Sequence, residues 1–161
     1  MAILVDSGRA AVATAIMNQP IHLAWGEGQT SWDAQTPPEE TSKKGLENEL
    51  GRLIATQVKY CELNSAGTII VAGGTFKEMT TPTNYLYMRF TFNFKDEEFA
   101  NIRELGIFVG TVPNANLTQA EQNAYMKKGN YTGGQLLVLE NLDKLSRSPQ
   151  VRQQFEFVIQ F

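Results

Sequence analysis

The chain holds one cysteine, Cys61, and one histidine, His22, among 161 residues. A single thiol excludes an internal disulfide framework, and a single imidazole excludes a metal site built from several histidines. Charged residues make up 19%, below the usual ~25%, and the net charge is −3. That balance excludes the broad basic footprint that nucleic acids require. Lys43-Lys44 and Lys127-Lys128 are isolated pairs. No apolar run approaches the roughly 18 residues that a membrane-spanning helix needs. The opening Met1-Ala2-Ile3-Leu4-Val5-Asp6 has no basic stretch before its short apolar run, so it does not read as a secretion signal. A Gly-x-Ser-x-Gly elbow is missing, and Gly26-Glu27-Gly28 lacks the Gly-Lys-Ser/Thr ending of a phosphate loop. Asp96-Glu97-Glu98 lacks the spaced oxygen ligands of a calcium loop and reads as a solvated turn. Together these absences remove most common enzyme designs; neither cofactor nor metal is expected.

What is present is a β-rich pattern. Apolar residues are 42%, and the length suits one domain over residues 1–161. Residues 7–18 read as a helix: Ala10, Ala11, Ala13 and Ala15 favour it, Asp6 or Ser7 can cap it, and Pro20 ends it. Residues 21–26 alternate as a strand. Residues 46–50 fit a short helix, and 52–63 one long strand. Strands at 68–71 and 75–79 follow through the turns Asn64-Ser65-Ala66-Gly67 and Gly73-Gly74. The clearest element is 84–94, with Leu86, Met88, Phe90, Phe92 and Phe94 on one face and Tyr85, Tyr87, Arg89, Thr91 and Asn93 on the other. Further strands are expected at 102–112, 136–142 and 153–161. Strands joined by turns rather than by long helices argue against βαβ units. The fold class is therefore mainly β: an antiparallel sandwich or curled sheet of about seven strands, with a short N-terminal helix and long loops.

Two irregular stretches stand out, residues 29–44 and 113–130. The first carries Pro37-Pro38, and the second contains Thr118-Gln119-Ala120-Glu121, a capping-box pattern. Loops of this length are usually functional or flexible, and we expect them to order against neighbouring subunits. Trp32 either pins its loop to the body or waits for a partner. Candidate partner contacts are Arg9, Val12 and Ile16 on the helix, Trp32, Pro37 and Pro38 in the first loop, Tyr85 and Tyr87 on the strand, and Tyr125 and Tyr131 about the second stretch.

Three segments resemble a known group. Ser7-Gly8-Arg9-Ala10-Ala11-Val12-Ala13, Ile16 and Gln19-Pro20-Ile21-His22-Leu23-Ala24-Trp25-Gly26 resemble the start of tail-fibre-attachment and baseplate proteins of tailed, contractile bacteriophages. Ile102-Arg103-Glu104-Leu105-Gly106-Ile107-Phe108 is similar to an Arg-Glu strand of that group, and Phe155-Glu156-Phe157-Val158-Ile159-Gln160-Phe161 to its last strand. The resemblance implies a structural protein of the virion tail, a baseplate or tail-fibre adaptor made in the host cytoplasm. Its partners would be other tail, baseplate or fibre subunits in many copies per particle, in sixfold or threefold arrangement, without nucleic acid or membrane. Because the sequence stops after the attachment module, an adaptor role is favoured over receptor binding. The rivals are a small carbohydrate-binding β module, which needs an exposed platform from Trp25, Trp32, Tyr85 and Tyr87, and a small hydrolase, which needs Cys61 with His22 or a pair of carboxylates.

Overall fold

A computed structural model describes residues 1–161. The elements are α1 (Asp6–Met17), β1 (Ile21–Gly26), a 3-10 turn (Thr30–Asp33), β2 (Glu49–Ile54), β3 (Gln57–Leu63), β4 (Ile69–Val71), β5 (Gly74–Met79) and β6 (Tyr85–Phe92). They continue with β7 (Asn101–Pro113), α2 (Gln119–Asn123), β8 (Met126–Lys127), β9 (Tyr131–Ser146) and β10 (Gln153–Gln160). The protein is mainly β, as expected, with ten strands in two antiparallel sheets rather than about seven strands. The chain forms two compact units. The first holds Met1–Gln19, Ala55–Phe90 and Gln154–Phe161; the second holds Pro20–Ile54 and Thr91–Gln153.

In the first unit the sheet order is β10-β6-β3-β5-β4. The predicted alternation of β6 holds: Leu86, Met88 and Phe90 are fully buried on one face. Tyr60 pairs with Leu86 in register and shares that face. α1 lies on it too, through buried Ala13 and a 2.8 Å hydrogen bond between the Thr14 and Tyr60 hydroxyls. Phe157 of β10 meets Phe90 edge-on at 6.2 Å. On the opposite face Cys61, Phe76 and Tyr87 form a second cluster, with Ile69, Val71, Tyr85 and Val158 against it.

In the second unit the order is β8-β2-β1-β7-β9. β1 pairs with both β2 and β7 and is buried throughout. A strand flanked on both sides and covered on both faces reads as a continuous buried run, and residues 102–109 of β7 behave the same way. Trp25 stacks on Phe92 at 3.6 Å, and Tyr125 meets both rings edge-on.

Several sequence expectations are corrected. The single strand over 52–63 is two strands, because residues 49–54 pair with β1 in one sheet and residues 57–60 with β6 in the other, where the Thr56 amide and hydroxyl both donate to the Arg89 carbonyl at 2.8 and 2.9 Å. The alternating pattern runs straight through that break and hides it. No helix forms over 46–50. The amides of Glu47 and Asn48 donate to the Glu104 carboxylate, and the chain enters β2 extended. Neither Asp6 nor Ser7 caps α1; the cap position is Val5, with no side-chain bond. Phe94 lies past the end of β6 and is exposed rather than sharing the buried face. β9 is far longer than 136–142, with Gly133 and Gly134 held in the strand at positive φ.

Candidate attachment surfaces

The segment between β1 and β2 is the most conspicuous surface feature, and buried charge on β7 positions it. Arg103 is 4% exposed and sits in the middle of the sheet. Its Nε and Nη2 donate to the two carboxylate oxygens of Asp33, at 2.6 and 3.1 Å, and its Nη1 donates to the Glu27 carbonyl. This two-pronged geometry suits a guanidinium better than an ammonium. Arg103, then Lys144, holds the Asp33 carboxyl down at about 2.

Glu104, 1% exposed, works from the next position on the strand. Its Oε1 accepts from the amides of Gly28 and Asn48, at 3.1 and 2.7 Å, and its Oε2 from the amide of Glu47 at 2.8 Å. A buried carboxylate is tolerable only when its lone pairs are filled, and here three backbone donors from both ends of one loop fill them. Two residues further on, Gly106 leaves space that Leu46 and Leu136 occupy; a Cβ there would stand 2.9 Å from each. The Arg103-Glu104-x-Gly106 run is thus a clamp for residues 27–48.

The rest of the loop is pinned locally. Trp32, in the 3-10 turn, lays its ring against Gly28, whose φ of 55° and missing Cβ admit it. Thr36 donates to Asp143, the Asn141 side chain donates to the Pro37 carbonyl, and the Asn141 amide donates to Glu39. Trp32 and Pro37 are half-buried, whereas Pro38 is exposed. These three residues, with Lys43, Glu40 and Glu47, border a cleft of about 270 Å3.

The second stretch is pinned too. The Thr118–Glu121 capping box forms as the sequence predicts and starts α2. Tyr125 accepts a hydrogen bond from Trp25 Nε1 at 3.0 Å and donates to Glu97 at 3.1 Å. Tyr131 is buried, donates to Glu49 at 2.5 Å and lies beneath the Arg52 guanidinium. Burial raises both phenols well above their ordinary range. Both stretches thus make hydrogen bonds and ring contacts to the sheet of their own unit.

In the first unit, Arg9 donates to the Phe161 carbonyl at 3.2 Å and ties α1 to the end of β10. Val12 is 41% exposed, and Ile16 is half-buried. Tyr87 is buried, with its hydroxyl accepting from Arg89 at 2.9 Å, and Tyr85 packs against Phe76. The candidate contacts thus divide: Arg9, Val12, Ile16, Trp32, Pro37 and Pro38 reach the surface to differing degrees, while Tyr87 and Tyr131 serve the interior.

Several side chains on which the rival readings relied, Trp25, Tyr87, Cys61 and His22, are buried. Trp25 is fully buried and Tyr87 nearly so, which takes both out of an exposed sugar platform. Burial pushes the Cys61 thiol up to about 11, away from a reactive thiolate. His22 is 1% exposed and neither ring nitrogen has a hydrogen-bond partner, so nothing orients it as a base. Its pKa is lowered to about 4, first by burial and then by the nearby Arg52. No helix is long and apolar enough to cross a membrane.

Sequence reasoning noticed the Arg103-Glu104 run only as part of a resemblance and missed its role. Its partners Asp33, Glu47 and Asn48 are remote in sequence, and two adjacent opposite charges inside an otherwise apolar strand were the only local signal. No curated protein matches the chain. The family model described as a baseplate wedge 3 tail fiber network component matches residues 1–161. With the whole chain covered and the same phage group indicated by its three motif segments, the protein belongs to that family of structural components of the phage baseplate and its tail-fibre network.

Proposed function

We propose that this chain is an adaptor: it joins other baseplate or tail-fibre subunits through protein–protein contacts and performs no catalytic step. It works in many copies within the virion tail, is made in the host cytoplasm, and uses neither cofactor nor nucleic acid nor membrane. One observation carries this reading. The buried pair Arg103 and Glu104 is spent on holding a long loop in one shape, with Trp32, Pro37 and Pro38 at its surface. A preformed loop loses little conformational entropy on docking, which favours affinity without a pocket. The helix surface with Arg9, Val12 and Ile16 is a second contact on this reading, and Tyr85 and Tyr125 act as supports.

The test is sedimentation of a lysate from infected cells, followed by lysine cross-linking and mass spectrometry of the fast fraction. The chain is expected in particles far larger than 17.9 kDa, with links from Lys43 and Lys44 to other tail proteins. A chain that sediments alone throughout the gradient would rule out the adaptor role.

A further inference from the structure

β9 closes one side of its sheet, so one side of its 16-residue backbone meets no strand. Leu136, Leu137, Val138 and Leu139 form an apolar, half-buried run along it. Residues 39–44 pass beside this run, and open grooves of about 330 and 590 Å3 separate the two. The loop touches β9 at Asn141, but no main-chain hydrogen bond joins it to residues 136–139. Free backbone groups beside apolar side chains are what an added strand requires: the main chain supplies affinity and alternate side chains supply register. Left open, such an edge is a template for uncontrolled pairing.

The same chain carries a segment suited to that edge. Residues 2–5 precede α1 outside any sheet, and Val5 has extended backbone angles of −80° and 165°. Ile3, Leu4 and Val5 are 84%, 53% and 57% exposed, a high price in water for three consecutive large apolar residues. Ile3 and Val5 are β-branched and alternate with Ala2 and Leu4.

We propose that residues 2–5 of one copy add as an antiparallel strand to the 136–139 edge of a second copy. Both segments have four residues, each about 14 Å long when extended. Charge sets the direction. Asp6, the first residue of α1, directly follows the donor segment. Lys43 and Lys44 border the groove at its Gly134–Leu136 end, while Glu39 and Glu40 border it towards Leu139. Antiparallel addition brings Asp6 to the lysines; parallel addition would bring it to the glutamates. Donor and acceptor are different parts of the chain, so the contact is heterologous. Every bound copy still offers one donor and one edge, and the series closes into a ring or continues. This goes beyond the adaptor reading and does not depend on which other tail proteins are bound.

The experiment is analytical ultracentrifugation of the full chain over a concentration series, with circular dichroism to verify folding. Wild-type mass is expected to rise above 17.9 kDa with concentration. The donor variant Ile3→Asp and the edge variant Leu137→Lys should each remain monomeric. Leu137 has no partner on β7, falling where the register shifts, so the change leaves that ladder intact; Leu139→Lys replaces it should it fail to fold. Mixed together, the two variants retain one sound donor and one sound edge. They should form a dimer of about 36 kDa, twice the chain mass, and nothing larger. A wild type that stays monomeric at every concentration, or variants that assemble as the wild type does, would overturn the proposal. Either result leaves the lysate experiment unaffected, so the two readings fail separately.

Discussion

The two units handle charge in opposite ways. In the first, the buried residues are apolar, and ion pairs such as Lys59–Glu78 and Arg89–Glu156 lie at the surface. In the second, His22, Arg52, Arg103, Glu104, Thr111 and Arg147 are all buried. The difference follows the connections. Tight turns join β3, β4 and β5 and satisfy their own backbone groups. The second unit must instead hold long irregular segments against a sheet, and their amides and carbonyls need partners. Glu104 serves three amides, Arg103 the Glu27 carbonyl, and Arg147 the carbonyls of Asn93, Asp96 and Val151. Arg52 joins Glu49, Thr111 and the Gly133 carbonyl, with its guanidinium 3.6 Å from the centre of the Phe108 ring. Buried charge in this protein is a fastening for loops.

The sharpest way to break that contrast is Glu104→Ala. Three partly buried amides would lose their charged acceptor at once. Hydrogen bonds to a charged group contribute about 1.5–3 kcal/mol each, so the loss is expected to be at least about 4 kcal/mol. Hydrogen exchange at Gly28, Glu47 and Asn48 should accelerate more than in the core of the first unit. Normal protection at those three amides would show that the carboxylate is not the fastening.

A somewhat smaller effect is expected from acid. His22 is neutral in the folded protein at about 4, against 6.5 unfolded. The unfolded chain therefore takes up the proton first, and stability falls as pH drops from about 6.5 to about 4. At 1.36 kcal/mol per unit, the full loss is about 3 kcal/mol. Asp33 acts lower down: its depressed pKa supports the fold above about 3.8, and that support disappears as pH falls towards about 2. His22→Leu should match the wild type near pH 7 and exceed it in urea midpoint at pH 4.5. Parallel pH curves for the two proteins would remove His22 as the cause.

The smallest effect belongs to the first unit. Lys59→Ala breaks a half-exposed pair with Glu78 and should cost less than about 1 kcal/mol, diminishing further in high salt. A loss as large as that of Glu104→Ala would erase the contrast between the units.

Local signals made part of this legible in the sequence. The alanines of α1, the extent of β1, the alternation of β6 and the Thr118–Glu121 box each depend on residues within one turn or one pleat, and all appear in the structure. The errors share a cause as well. The break at Ala55 and Thr56 and the extended path through Glu47 and Asn48 depend on partners far along the chain. The spacing between Glu104 and Asn48 means nothing until β7 and the loop are side by side. The candidate contacts were legible as aromatic or proline residues in polar surroundings, but that signal does not separate Trp32, at the surface, from Tyr131, under a guanidinium.

The Arg103-Glu104 clamp also has a mechanical consequence. A pull on Trp32 or Pro37 does not have to travel through the coil on either side of them. It enters β7 through Asp33 and through the amides of Glu47 and Asn48. β7 is paired with β1 on one side and β9 on the other, so the load is divided between two hydrogen-bond ladders from the moment it arrives. The loop is thereby bolted to a strand that is paired along both of its sides.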